Sequence, residues 1–336
     1  MFGAAQARLQ AQVFNELATM VRAGVTIGES LSALAQDMEH ARVASVLSEM
    51  GRAVSAGSSL TEALRHHPGA FSPITISLIE VGETGGLLDR SLAAAAEYHE
   101  RDFELRHLLT RETFYPIILF AVILFIWPMT HFIITWIQGS FLAALVRLLL
   151  ELLLMLIYVG LPVGGAVIAY RLYARTEQGR IALDRMILQI PVIGNTVRRL
   201  CLARFCRALA SLYSAGVLLG RSLRVAAETT GNRALEHELV RGASEVERGG
   251  KLSDALAEAP LVPRMLVRML RTGEDTGDVD SMAHQVADHF EQEAQTAVKQ
   301  MAVSITPVAV LVAGVIVGIM AISFYTGAFS ALINLR

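Results

Sequence analysis

Gly82, Glu83, Gly86 and Asp89 in the stretch "EVGETGGLLDRS" (80–91) recur as Gly273, Glu274, Gly277 and Asp280 in "RTGEDTGDVDSM" (271–282). Carboxylates set among glycines are the residue types that can hold a hard cation, since calcium collects six to eight oxygens at about 2.3–2.6 Å. The second copy adds Asp275 and Asp278 to the set. Neither copy has the D-x-[DN]-x-[DN]-G spacing of an EF-hand. Two other readings fit the same residues. One is a glycine turn leading into a helix whose first turn carries acids, which suits the helix dipole. The other is a point where a partner docks. All three stay open at the level of the residues.

Other chemistry finds no foothold. "RGGKL" (248–252) contains Gly-Gly-Lys but lacks the G-x-x-x-x-G-K-[ST] spacing of a phosphate cradle, and no strand precedes it. His284 and His289 are five apart, off a common helical face. His66-His67 sit beside Pro68, where helix capping is the simpler role. Cys201 and Cys206 lie too far apart along a helical stretch for a disulfide and form no CxxC pair. No Ser/His/Asp or Cys/His constellation stands out. The expectation is a protein with no catalytic residues, no firm metal ligand and no bound cofactor beyond a calcium ion.

The elements that would position these turns are unusually apolar. Of 336 residues 53% are hydrophobic and only 18% charged, against roughly 25% charged in an average globular protein. Net charge is −2, so no global basic field draws the chain to nucleic acid. The runs Phe114–Trp136, Leu152–Tyr170 and Val303–Phe324 contain no Asp, Glu, Lys or Arg. Each is long enough, at 1.5 Å per residue, to cross a hydrocarbon core of about 30 Å. Arg101, Arg106 and Arg111 precede the first run, and Arg171, Arg175, Arg180 and Arg185 follow the second. The positive-inside rule therefore places the two large polar regions in the cytoplasm. Arg147 and Glu151, four apart, read either as an interfacial helix pair at the outer surface or as a buried pair on a transport route. Gly314 and Gly318 form a GxxxG in the third run, which permits close helix packing.

The two cytoplasmic regions copy each other. A shift of 192 residues puts Ala23-Gly24-Val25 on Ala215-Gly216-Val217, Gly28 on Gly220, and "GSSLTEALRHHP" (57–68) on "GGKLSDALAEAP" (249–260). The glycine-glutamate turn follows at a shift of 191, so one residue has been gained or lost in a loop. Apolar residues recur at helical spacing, and Ser59 with Glu62 makes a capping box. The expected architecture is an all-α membrane protein with two homologous cytoplasmic bundles of about six helices each and three transmembrane helices. Its parts are copy 1 (1–111), span 1 (112–137), a short external connection (138–151), span 2 (152–171), copy 2 (172–302), span 3 (303–326) and an external tail (327–336).

With duplicated bundles, paired "GE..G" turns and a hairpin of spans followed by one final span, the chain resembles the F family. These are the inner-membrane platform proteins of type II secretion and type IV pilus machines. The resemblance is carried by Ala23-Gly24, Gly57, Leu60, Ala63-Leu64, Pro68, Gly82-Glu83 and Gly86-Leu87-Leu88. Their partners are Ala215-Gly216, Gly249, Leu252, Ala255-Leu256, Pro260, Gly273-Glu274 and Gly277. It implies a non-enzymatic scaffold in the bacterial inner membrane, multi-pass, with a cytoplasmic N-terminus and an external C-terminus. Implied partners are a hexameric assembly ATPase, pilin or pseudopilin subunits, other inner-membrane assembly proteins and further copies of the chain as a dimer or trimer. Nucleic acid is not among them. Some members bind calcium at the first turn, which would make Glu83, Asp89 and Asp37 the ligands here. Many members carry an extra N-terminal segment and a longer external connection than this chain. The competing class is a transporter or permease subunit. Three spans and the absence of broken inverted repeats speak against it.

Overall fold

Left-handed glycines divide the chain into its helices. In the computed structural model, which describes residues 2–137, 141–174 and 176–333, Gly24, Gly57 and Gly86 have φ between +69° and +103°. Their counterparts Gly216, Gly249 and Gly277 have φ between +76° and +93°. A Cβ penalises that region, so each glycine ends a helix where another residue would let it run on. The first copy contains α1 (Phe2–Arg22), α2 (Ile27–Asp37), α3 (Ala41–Ser55), α4 (Leu60–Arg65), α5 (Pro73–Gly85) and the start of α6 (Leu88–Ile137). The second repeats them as α10 (Ile193–Ser214), α11 (Leu219–Glu228), α12 (Arg233–Glu247), α13 (Leu252–Ala257), α14 (Arg264–Thr276) and the start of α15 (Val279–Ile333). Between them lie α7 (Phe141–Met155), a π-helical turn (Leu156–Gly160), α8 (Leu161–Tyr173) and α9 (Glu177–Gln189). Among the described residues there is no strand.

Residues 1–108 and 184–297 form one unit, so the two copies fold together rather than as separate beads. Its core is aliphatic and aromatic, with Phe14, Leu17, Leu31, Leu64 and Leu78 of copy 1 and Phe205, Leu223, Leu239 and Phe290 of copy 2 all buried. The copies meet where α5 packs on α10 and α11. Burial at about 25 cal/mol per Å² of apolar surface is what holds such a body together.

Residues 109–183 and 298–336 form the second unit. Here the apolar side chains face outward: Phe114, Val122, Phe125, Leu142, Leu161, Leu311 and Ile322 are all exposed. That inversion is what lipid as solvent requires. Among the described residues three helices are long and apolar enough to cross a membrane. The chain is an all-α membrane protein.

Residues 138–151 read as an external connection; from Phe141 this segment is helical, and an apolar window runs Phe141–Tyr158. Residues 138–140 lie outside the described residues. Within this helix Glu151 accepts from Arg147 Nε at 3.3 Å and has His131 Nδ1 of α6 at 3.3 Å. Pro162 is absorbed by the π-turn before it, where the Leu161 N–H donates to the Leu156 carbonyl.

Candidate functional site: the paired glycine-glutamate clamps

The short helix α4 has six residues, too few to stabilise itself, and its first N–H groups need acceptors. Ser59 takes the Glu62 N–H at 3.0 Å, as the capping box predicts. Glu83 takes the rest from a distance of more than twenty residues. Its Oε1 accepts from the Leu60 N–H at 2.6 Å, while its Oε2 accepts from the Thr61 N–H at 3.0 Å and the Thr61 hydroxyl at 2.6 Å. A carboxylate at a helix N-terminus meets both the orphan donors and the positive end of the dipole.

The glycines around it are there for different reasons. A Cβ on Gly82 would stand 2.1 Å from Ser91 Oγ and 2.3 Å from Ser91 Cβ, so α5 can lie this close to α6 only with a hydrogen at that position. Gly86 closes α5 in the left-handed region at φ +69°, and the Leu87 N–H donates to the Gly82 carbonyl at 2.8 Å.

The second copy repeats the device. Glu274 accepts from the Leu252 N–H and from the Ser253 N–H at 3.2 Å. A Cβ on Gly273 would stand 2.8 Å from Met282 Cβ, and Gly277 has φ +76°. Two differences follow from side chains. Ser253 Oγ does not join the clamp as Thr61 Oγ1 does. Exposed pairs Lys251–Asp275 and Arg271–Asp254, each at 2.8 Å, flank the second clamp instead.

The calcium reading fits these residues poorly. Both Glu83 oxygens are engaged by α4, Asp89 lies in the first turn of α6, and Asp37 is the last residue of α2. No group of three or more His, Cys, Asp or Glu that could hold a metal exists among the described residues. Asp280 bonds to the Ser214 hydroxyl, and Asp278 Oδ1 accepts the Ser281 N–H at 3.2 Å. Gly314 and Gly318 sit on α15 with nothing within 4 Å of either Cβ position.

Sequence reasoning did not find the polar seam between the copies. Glu80 of α5 is gripped by Arg65 at 2.9 Å and by Arg221 of α11. Partial burial alone would raise its pKa, but the two guanidiniums hold its carboxyl below the usual range. Asp102 of α6 meets Arg106 at 2.6 Å and Arg204 of α10 at 3.5 Å. Within copy 2, buried Arg207 makes a bidentate pair with buried Glu291 at 2.6 and 2.7 Å and also bonds Asp288. No local pattern encodes the long-range pairs, since Glu80 and Arg221 are 141 residues apart and Arg207 and Glu291 are 84 apart. Burial pushes the Cys201 thiol up to about 11 and Cys206 higher still, which removes the thiolate that reactivity would need.

Two clamped helical bundles in one body, on a chain with three long apolar helices among the described residues, define an internally duplicated all-α membrane protein. The model of the family described as "Type II secretion system (T2SS), protein F" matches residues 13–135 and again 205–327. The chain belongs to that family. It is 33% identical over 329 residues to a type IV pilus assembly protein PilC of Thermus thermophilus, covering 94% of this chain and 80% of the relative. It is 30% identical to the PilC of Myxococcus xanthus, over 94% of this chain and 78% of the relative. A type II secretion system protein F of Aeromonas hydrophila is 30% identical over 304 residues, 86% of this chain and 77% of that protein.

Proposed function

We propose that the protein is the inner-membrane platform of a type II secretion or type IV pilus machine, a scaffold that performs no catalysis itself. It couples a cytosolic hexameric ATPase to the extrusion of pilin-like subunits. The observation that carries this reading is the match of both copies to the family, on a chain whose relatives are pilus assembly and secretion proteins. The first unit offers the motor a folded surface, and the apolar helices meet the pilin-like subunits within the bilayer. The N-terminus is cytoplasmic and the C-terminus external, as the arginine distribution favours. In this reading the glycine-glutamate turns are packing points that keep the gripped surface in shape.

The test places a photo-crosslinking residue at exposed Leu87 and, separately, at exposed Leu218 in the native membrane. Both side chains are exposed, so replacing them leaves the packing and the backbone hydrogen bonds of the turns in place. Capture of a hexameric ATPase at either position is the expected result. Capture of a solute-binding or transporter subunit at both, with no ATPase, would overturn the platform in favour of a permease subunit.

A further inference from the structure

The turn between α9 and α10 carries apolar side chains where a folded surface ordinarily turns polar. Ile190, Val192 and Ile193 are 44%, 49% and 41% exposed, and Met186, one turn back along α9, is 63% exposed. Pro191 between them is exposed as well. The backbone beneath is strained and tightly held. Val192 has φ +68° and ψ −58°, the rare form of γ-turn, which a β-branched residue seldom adopts. The Ile193 N–H donates to the Pro191 carbonyl and the Gly194 N–H to the Ile190 carbonyl, each at 2.8 Å. A Cβ on Gly194 would overlap the Leu188 carbonyl, so α10 starts this close to α9 only with glycine there. Strain of this kind persists where the surroundings over-determine it. Here it holds Val192 at the apex with an isoleucine on either side of the turn.

The flanks of the turn are cationic. From 184 to 199 the chain carries Arg185, Arg198 and Arg199 against Asp184 alone, and Asp184 is buried with its carboxylate on the Arg233 N–H. Arg185 and Arg199 stand 3.6 and 3.8 Å from Glu238 and Glu293, beyond hydrogen-bond length. Arg198 Nε is buried with no hydrogen-bond partner among the described residues, and such a donor calls for an acceptor. The chain also keeps the turn near the bilayer from two directions. Seventeen residues separate Tyr173, the end of α8, from Ile190, and thirteen of them are the helix α9. The reach is therefore about 35 Å at most. The Thr196 hydroxyl, which donates to the Val192 carbonyl at 2.9 Å, is also 3.4 Å from the Ala297 carbonyl of α15. Ala297 is six residues before Val303, where the third uncharged run begins, or about 9 Å along a helix. Four apolar side chains are too few for a stable protein interface, which buries about 1,200–2,000 Å². They suffice for a surface that a tethering span already holds beside lipid.

We propose that this turn docks on the bilayer surface: Ile190, Val192 and Ile193 enter the boundary between headgroups and acyl chains, and Arg198 binds the phosphate of an anionic lipid in the same leaflet. The stems of the flanking arginines lie on apolar surface while their guanidiniums stay among the headgroups. Copy 2 thereby gains a footing on lipid at the start of α10, in addition to its covalent connections to the spans. The inference goes beyond the platform reading, since it needs only a chain embedded in a membrane and holds whatever machine that chain serves.

The test uses the full chain in phosphatidylcholine nanodiscs, with and without phosphatidylglycerol. A nitroxide is attached at Ile193→Cys and, as the reference, at Leu218→Cys, an exposed position past the far end of the 22-residue α10. The native cysteines are buried and do not compete for the label. Power saturation then compares collisions with oxygen, which partitions into acyl chains, and with a water-soluble nickel chelate. In discs containing phosphatidylglycerol the oxygen-to-nickel ratio should be about fivefold higher at 193 than at 218, as for a side chain about 5–10 Å into the boundary. Arg198→Gln should bring it down to the value found in phosphatidylcholine alone. Val192→Gly, which relieves the strained φ and removes the apex side chain, should lower the ratio while the thermal midpoint holds. A turn with a purely structural role would not separate the two readouts. Equal ratios at 193 and 218 overturn the proposal and leave a solvated turn. Protection of 193 from both reagents overturns it in favour of a protein contact, a second copy of the chain included. A high ratio indifferent to phosphatidylglycerol and to Arg198→Gln overturns the assignment of an anionic lipid.

Discussion

Glu83→Ala removes a carboxylate that accepts two backbone N–H groups and one hydroxyl at distances of 2.6 to 3.0 Å. A hydrogen bond to a charged group contributes about 1.5–3 kcal/mol, and an N-cap lost to alanine costs about 0.5–2 kcal/mol. The three bonds share one acceptor and Ser59 still caps Glu62, so they do not add. A local loss of about 2–3 kcal/mol follows, or roughly a 30- to 150-fold rise in the opening of α4. Hydrogen exchange by mass spectrometry on the full chain in detergent reads this in peptides covering 58–66. The equivalent Glu274→Ala, which loses two backbone bonds and no hydroxyl, should accelerate peptides covering 250–258 by a smaller factor. Glu83→Gln, with one acceptor oxygen left and an NH₂ facing a donor, should fall between wild type and alanine. Unchanged exchange at α4 in Glu83→Ala would falsify the clamp, and so would equal acceleration of α4 and α13 by either single change.

Gly82→Ala should lower the thermal midpoint through overpacking of about 1–3 kcal/mol against Ser91; adding Ser91→Gly should restore most of it, since the next atom beyond Ser91 is the Leu87 oxygen at 3.3 Å. A double-mutant cycle on midpoints checks that coupling, and additive effects would refute it. Arg207→Leu leaves buried Glu291 without its bidentate partner and should cost about 3–5 kcal/mol, whereas Arg207→Leu with Glu291→Leu should recover most of the loss. His99 is buried against Thr75 Oγ1 at 2.8 Å, and burial pulls its pKa down to about 4 from 6.5, with Asp102 opposing and Arg106 assisting. The unfolded chain therefore takes up this proton first, so stability is intact above about pH 6.5 and falls as pH drops toward 4, by about 3 kcal/mol in all. Thermal midpoints at pH 7 and 4.5 should converge in His99→Gln relative to wild type; an equal pH drop in both proteins would remove His99 as the cause.

Much of the architecture is local and could be read from the chain. Uncharged runs locate the membrane helices because hydrocarbon excludes charge over a known thickness. Glycine positions locate the helix ends, since a left-handed residue is a backbone requirement that needs no distant partner; Gly24, Gly57 and Gly86 and their counterparts all have it. Ser59 announces its own cap, because donor and acceptor lie three residues apart. The duplication is a property of the sequence as such.

The partners of the charged side chains were decided by tertiary structure alone. The residue pattern marks Glu83 as unusual, but its acceptor role depends on α4 being brought under α5, and the same residues were equally compatible with a cation or a partner. Glu80 and Arg221 are 141 positions apart, and only the packing of α5 on α11 makes them neighbours. Backbone conformation is set within a turn or two by the residues that adopt it. What a side chain touches is set by which surfaces the collapsed chain brings together, and that is information no short stretch contains.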